Sequence, residues 1–305
     1  MFRRLQPLDL LTLRPVLTHD LANEAQPLER CLNRAPGWGQ TVASLAGTWL
    51  PLGRRRQAWV LAPKGHVSGL VAVRPRSGPS AWEVERLAAA QPEDLGPELL
   101  EHLVLAAASA GAERLFLRLP VDSPWCELAQ RSGFTAFTHE QLYLISLSGW
   151  VAPPLLSLRP RQARDDMGLF RLYCVVAPPT VRQAVGITFQ EWQDSREAFP
   201  SRRGLEAVSE DEGGIQGWLR LTAWGSAREF AVMAHPLKGD VEGLVSHALA
   251  GCPPRSTVSC LVPDYQVALA RLLEDYGFVG TARYVGLIRM VAVRNSHPCL
   301  LPAQA

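Results

Sequence analysis

Apolar positions along this chain follow two alternating registers. Some runs repeat every second residue, as in Arg114-Leu-Phe-Leu-Arg-Leu119, while others place Leu99, Leu100, Leu103 and Ala107 on one face of a 3.6-residue period. The first register predicts half-buried strands and the second predicts amphipathic helices.

The first half is expected to hold helices over 18–33 and 40–50, followed by strands 57–62 and 67–73 joined across Pro63-Lys64-Gly65. A strand over 82–90 comes next, and Pro97 is expected to open a helix that Gly111 closes with a left-handed residue. A strand over 114–119 and a helix over 125–132 lead to two closing strands, around 134–137 and 141–145. The second half repeats the order. It has helices within 164–175 and 179–195, strands over 205–209, 214–223 and 228–234, a helix over 241–250, a strand over 257–262, a helix over 265–276 capped by Asp264, and closing strands within 279–293.

The repetition extends to residue identity. Leu13-Arg14-Pro15 recurs 145 residues on as Leu158-Arg159-Pro160, and Leu128-Ala-Gln-Arg-Ser-Gly133-Phe134 recurs 144 residues on as Leu272-Leu-Glu-Asp-Tyr-Gly277-Phe278. Between them, His66-Val-Ser-Gly69 and the apolar run after it match Gly214-Ile-Gln-Gly217 and its run. The stretch 148–157, with Gly149, Pro153 and Pro154, has linker composition, which places the domains at 1–150 and 151–305.

Composition narrows the function classes. With 305 residues, 47% of them hydrophobic, the chain can bury two cores. A net charge of +2 without a long run of like charges argues against nucleic acid as a partner. Gln6, Pro7 and Asp9 interrupt any apolar leader, and no later stretch reaches the length of a membrane span, so a cytoplasmic protein without membrane contact is expected. The six cysteines are scattered outside metal-ligand spacing, which predicts reduced thiols and no metal. Hydrolase, P-loop and zinc-protease motifs do not occur.

The order of elements, with a short helix ending in Gly-Phe before the closing strands, resembles the GCN5-related N-acetyltransferase (GNAT) superfamily, twice over nearly the whole chain. The resemblance implies an α/β (α+β) fold of two tandem GNAT-like domains, each a mixed, mainly antiparallel sheet flanked by helices. It also implies acetyl-CoA as co-substrate, no metal, and acetyl transfer by direct attack from the primary amine of a small molecule or peptide. A catalytically inactive tandem module for binding or assembly is the alternative. The chain is expected to be a monomer or homodimer.

In that family the fourth strand splays from the fifth, and the loop Arg/Gln-x-x-Gly-x-Gly/Ala holds a pyrophosphate at the next helix N-terminus. The first half matches it with Ala89-Ala90-Gln91-Pro92-Glu93-Asp94-Leu95-Gly96, where two carboxylates stand in the phosphate position. The second half has Val232-Met233-Ala234-His235-Pro236-Leu237-Lys238-Gly239-Asp240, which keeps the proline, a cation and a glycine. The implied cofactor contacts are Ala89, Ala90 and Gly96 in one half and Met233, Ala234, Lys238, Gly239 and Asp240 in the other, the second being the better candidate.

The family tyrosine that protonates the departing thiolate falls on Ala129 and Leu273, so the candidate substitute acids are Tyr265 and Tyr276 on the last helix and Tyr143 and Tyr284 on the closing hairpins, with amphipathic packing at a sheet edge as the alternative role of each. On the fourth strand, Glu83 and Glu85 in the first half and Glu229 in the second are read either as candidate bases or as a solvated strand face, and His235 is a group able to titrate near neutral pH or simply to cap the strand end. Trp38, Trp49 and Trp192 are read either as walls of an acceptor groove or as packing.

Overall fold

The protein, in a computed structural model, is described over residues 2–9, 23–31, 56–63, 66–149, 156–197, 204–224 and 227–292. The first half holds strands β1 (Phe2–Arg4), β2 (Gln57–Leu61), β3 (Gly69–Pro75), β4 (Ala81–Ala89), β5 (Arg114–Pro120) and β6 (Thr135–Ser146), with helices α1 (Leu28–Cys31), α2 (Pro92–Ser109) and α3 (Trp125–Arg131). The second half holds β7 (Arg159–Pro160), β8 (Gly204–Asp211), β9 (Gly214–Trp224), β10 (Ala227–Ala234), β11 (Thr257–Pro263) and β12 (Val279–Met290). Its helices are α4 (Asp166–Val176), α5 (Pro179–Val185), α6 (Phe189–Ser195), α7 (Val241–Ala250) and α8 (Val267–Asp275).

These strands form one twelve-stranded sheet in the order β1-β2-β3-β4-β5-β12-β6-β11-β10-β9-β8-β7. Only β4/β5 and β10/β11 run parallel; the other neighbours are antiparallel. The sheet is therefore mixed and mainly antiparallel, as the sequence predicted.

The expected closing hairpins are absent. Each is a single long strand, and each strand crosses to the other half. β12 pairs with β5 from Tyr284 opposite Pro120 to Met290 opposite Arg114, and β6 pairs with β11 from Ser146 opposite Thr257 to Glu140 opposite Pro263. Val285 and Leu287 of β12 consequently sit in the first core with Leu99, Leu117 and Trp125, while Tyr143 of β6 and the following Leu147 sit in the second with Leu219, Phe230 and Leu273. Each buried aliphatic side chain contributes about 1.5–3 kcal/mol, so the exchange ties the two cores together.

The halves also meet where the turn between β3 and β4 docks on the end of α6. The Gly78 N–H donates to the Asp194 carbonyl at 3.0 Å, and the Ser80 hydroxyl donates to its carboxylate at 2.6 Å. Arg114 adds a 2.6 Å ion pair with Glu191.

Several boundaries moved, each for a local reason. α2 begins at Pro92, where proline at the first helical position loses no hydrogen bond and Glu93 and Asp94 suit the positive helix end; Pro97 lies inside it. The helix expected over 179–195 is two, broken at Gly186, whose φ of 152° and 2.4 Å clearance from the Trp192 nitrogen exclude a side chain. Much of the expected helices 18–33 and 40–50, together with Leu13-Arg14-Pro15, Trp38 and Trp49, lies outside the described residues.

A different pattern marks the start of each half. Arg3 grips both oxygens of Asp9 at 2.6 Å, and the Gln6 N–H donates to the same carboxylate at 2.7 Å. Arg159, Gln162 and Asp165 repeat this arrangement at 2.7, 2.9 and 2.7 Å. These Arg-x-x-Gln-x-x-Asp motifs lie 156 residues apart, more than the 144 that separate the Gly-Phe ends, so the first half carries extra chain between its opening and its closing.

Candidate functional site

In the second half the parallel ladder of β10 and β11 is short. It runs from Ala227 opposite Thr257 to Glu229 opposite Ser259 and then stops, so the strands diverge from Phe230 onward. Two adjoining cavities open at the divergence. One, about 240 Å³, lies between the end of β10, the turn 235–239 and the starts of α7 and α8, with Val175, Ala234, Pro236 and Val241 in its wall. The other, about 290 Å³, runs under α4 to α6. They share Val232, Tyr265, Gln266 and Leu269.

The turn is built by its own residues. The Gly239 N–H donates to the His235 carbonyl at 2.8 Å, and a Cβ on Gly239 would stand 2.5 Å from the His235 nitrogen and 2.7 Å from the Gln216 oxygen, so only glycine fits there. His235 Nδ1 accepts the N–H groups of Leu237 and Lys238, both at 3.2 Å, so the imidazole caps the turn from beside the smaller cavity.

Five of the residues singled out from sequence thus converge: Met233, Ala234, His235, Gly239 and Tyr265 all line one or both cavities. Tyr265 occupies the meeting point because α8 begins two residues later than expected, after a turn in which the Gln266 N–H donates to the Pro263 carbonyl at 2.9 Å. Burial and then the nearby Glu140 and Asp264 charges raise its pKa, so its hydroxyl keeps its proton near neutral pH.

The remaining candidates stand elsewhere. Glu229 is buried where β10 and β11 still pair, 3.9 Å from Arg220, and lines neither cavity. Tyr276 ties α8 to α7 through a 2.9 Å hydrogen bond with Ser246. Lys238 turns toward Asp211, whose pKa is lowered by its hydrogen bond from Gln216, by that from the Gly213 N–H and by the Lys238 charge. Asp240 caps α7, accepting the Gly243 N–H at 2.7 Å, so a carboxylate occupies the helix end where a diphosphate would come. The apolar groove and open strand edge fit the slender arm and thioester of an acyl-CoA. The capped helix end does not form the family's diphosphate clamp.

The corresponding region of the first half is closed by the chain itself. β4 and β5 also pair over only three positions, ending at Glu83 opposite Phe116. The segment 23–26 then fills the gap: the Glu24 N–H donates to the Leu87 carbonyl of β4 at 3.0 Å, and the Gln26 N–H to the Arg118 carbonyl of β5 at 2.8 Å. Asn23 fastens the plug, donating to the Glu85 carbonyl at 2.9 Å and accepting from the Leu87 N–H at 2.8 Å. Ala89 is buried in β4, Ala90 bonds the Ser68 carbonyl, and a Cβ on Gly96 would press 3.1 Å against Leu128 and 3.2 Å against Trp125. These three residues pack the first half, and the segment 23–26 takes up the hydrogen-bonding edges that β4 and β5 leave open.

Sequence reasoning missed the charged wall of the larger cavity, which is shared between halves. Arg118 of β5 binds Glu140 of β6 at 2.6 Å and Glu197, just after α6, at 2.5 Å. Arg76 reaches Glu197 at 3.5 Å and the buried Glu83 at 3.6 Å, and donates to the Ser195 carbonyl at 3.0 Å. Burial works to raise the pKa of Glu197, but Arg118 and Arg76 overcome it and hold the carboxyl at about 2. The rest of this wall is aromatic, with Phe137, Tyr173, Trp192 and Trp218. Among the described residues no cluster of three or more His, Cys, Asp or Glu is placed to hold a metal ion, and no helix is long and apolar enough to cross a membrane.

No model of a known family matches the chain, and no curated protein does. Solved structures do. A GCN5-related N-acetyltransferase from Sphaerobacter thermophilus superposes with a TM-score of 0.54 at 17% identity, over 95% of each chain. A tandem GNAT protein from the clavulanic acid biosynthesis pathway, solved without acetyl-CoA, gives 0.50 at 16% identity over 96% of this chain and 98% of its own. The chain has the GNAT fold, in tandem.

Proposed function

We propose that the second half is an acyl-CoA-dependent N-acyltransferase, with acetyl-CoA as the donor and a primary amine as the acceptor. The observation that carries this is the meeting of the two cavities at the strand divergence, where Val232, Tyr265, Gln266 and Leu269 belong to both. A donor groove and an acceptor chamber joined at one point suit direct attack. The amine nitrogen forms the amide C–N bond, the thioester C–S bond breaks, and the sulfur leaves with the electron pair and takes up the proton that nitrogen loses. Backbone amides at the unpaired edge of β10, around Met233 and Ala234, would face the thioester oxygen. Tyr265, kept protonated by burial and neighbouring charge, would donate a hydrogen bond to the departing sulfur.

In this reading 1–150 and 151–305 are the repeat units, with catalysis confined to the second. The free thiols of Cys31, Cys126, Cys174, Cys252 and Cys260 fit a reducing, cytoplasmic setting. A non-catalytic binding or assembly module is the rival, favoured by the Asp240 carboxylate at the start of α7. Calorimetry with acetyl-CoA, followed by a free-thiol assay over an amine panel, separates them: binding with one donor per chain and amine-dependent thiol release are expected. No heat at millimolar donor would sink the enzyme reading.

A further inference from the structure

The guanidiniums that line the larger cavity are all ion-paired. Arg76 reaches Glu83 at 3.6 Å and Glu197 at 3.5 Å, and Arg118 reaches Glu140 at 2.6 Å and Glu197 at 2.5 Å. Arg196 reaches Asp166 at 3.4 Å and Glu206 at 3.7 Å, and Arg220 reaches Glu229 at 3.9 Å. Four cations thus face six carboxylates, and the wall has no positive charge to spare for a ligand anion.

Glu140 is the carboxylate placed to receive a ligand cation. Among the described residues its one ion-pair partner is Arg118, which it shares with Glu197. Arg118 donates two hydrogen bonds to it, at 2.6 and 3.3 Å, and a carboxylate has about four lone-pair sites. Glu140 belongs to β6, yet the strand exchange sets it opposite Pro263, two residues before Tyr265, and Glu140 and Tyr265 both line the chamber. After burial, the Glu140 charge is the next cause of the raised Tyr265 pKa, so the two groups interact where the cavities meet. The Ser195 hydroxyl, fully buried in the same wall, has no hydrogen-bond partner among the described residues and can accept a further N–H. Phe137, Tyr173, Trp192 and Trp218 give the wall aromatic surface, and about 290 Å³ lies at the lower end of small-molecule sites, roughly 300–1,000 Å³, which suits one compact body.

We infer that Glu140, contributed by the first half, is the ammonium site of the chamber, and that the acceptor is a monoamine on a compact aromatic body with no carboxylate and no second ammonium. The chemistry rests on the acyltransferase reading; the binding does not. Glu140 would take one proton from the ammonium, leave the neutral amine to attack, and later pass that proton to water. The C–N bond then forms, the C–S bond breaks, and the proton that nitrogen loses in the attack goes to sulfur. A ligand carboxylate would instead stand against Glu140 and Glu197, and a second ammonium would be buried among guanidiniums.

The test uses the full chain and four probes: phenethylamine, its uncharged analogue phenethyl alcohol, L-phenylalanine and cadaverine. Calorimetry without donor is expected to show phenethylamine binding at least tenfold more tightly than each of the others. In Glu140→Gln the amine should lose at least tenfold in affinity while the alcohol is unchanged, and kcat for thiol release from acetyl-CoA should fall at least tenfold. If Glu140→Gln does not fold, the comparison of amine with alcohol in the parent decides alone. No binding of phenethylamine at millimolar concentration, equal binding of the alcohol, or an unchanged variant overturns the inference. Preferential use of phenylalanine or cadaverine overturns it too, and leaves the acyltransferase reading intact. Amine-selective binding without any binding of acetyl-CoA overturns that reading and leaves the ammonium site standing.

Discussion

Arg118 and Glu197 lie 2.5 Å apart although one belongs to the fifth strand of the first half and the other follows a helix of the second. Arg118 also holds Glu140 at 2.6 Å, so one buried guanidinium serves two carboxylates. Removing it takes the cation from Glu140 and leaves Glu197 to the longer 3.5 Å contact with Arg76. Arg118→Met is expected to cost about 3–5 kcal/mol of stability, read from urea unfolding. A change below about 1 kcal/mol would show that the network relaxes around the loss.

Glu197 also sets an acid limit. Its folded pKa, about 2, lies below the ordinary 4.5, so the folded state binds fewer protons between those values. The stability it contributes is fully present above about pH 4.5 and is lost as pH falls toward 2. Thermal melts of the parent and of Glu197→Gln over this range should converge at the acid end; parallel curves would remove Glu197 from the pH response.

Asp240 occupies the N-terminus of α7 with a charge that opposes a diphosphate. Asparagine caps a helix about as well, so Asp240→Asn is expected to leave stability unchanged and to tighten acetyl-CoA binding two- to fivefold, corresponding to about 0.5–1 kcal/mol. Calorimetry decides it, and weaker binding would mean the carboxylate does not face the donor.

The plug of the first half predicts both stoichiometry and stability. Asn23→Ala removes hydrogen bonds to Glu85, Ala25 and Leu87, and is expected to cost about 1–3 kcal/mol. The protein should still bind one acetyl-CoA per chain. Titration to two would show that the first half keeps a usable site.

The exchange of β6 and β12 makes the halves interdependent. Fragments 1–150 and 151–305 produced separately are expected to self-associate or aggregate, the first lacking β12 beside β5 and the second lacking β6 beside β11, and to form a one-to-one complex when produced together. Size-exclusion chromatography showing two stable monomers would contradict this.

Most of the strand and helix order was legible, because period-two runs such as 114–119 and the Gly-Phe ends at 133–134 and 277–278 declare themselves locally. The site was half legible. Gly239 and Tyr265 sit in turns whose chemistry is written in adjacent residues, whereas Arg118 and Glu140 reach the chamber through the strand exchange and Arg76 through the β3–β4 turn docked on α6. Alternation shows that a strand has two faces but not which edge it pairs with, so nothing in residues 135–146 announces β11 as their neighbour. The Arg-x-x-Gln-x-x-Asp openings were spelled out in both halves, but their wider spacing hid them from a search at constant offset.

The strand order also governs when this protein can fold during synthesis. The edge of β5, complete once residue 120 is made, waits for its partner at 284–290. At about 5–20 residues per second, that interval is on the order of ten seconds or more. Throughout it the first core lacks Val285 and Leu287 and offers an unpaired edge. Nascent chains stalled between these points should therefore engage holding chaperones, and the first half should gain protease resistance only after β12 has cleared the ribosome.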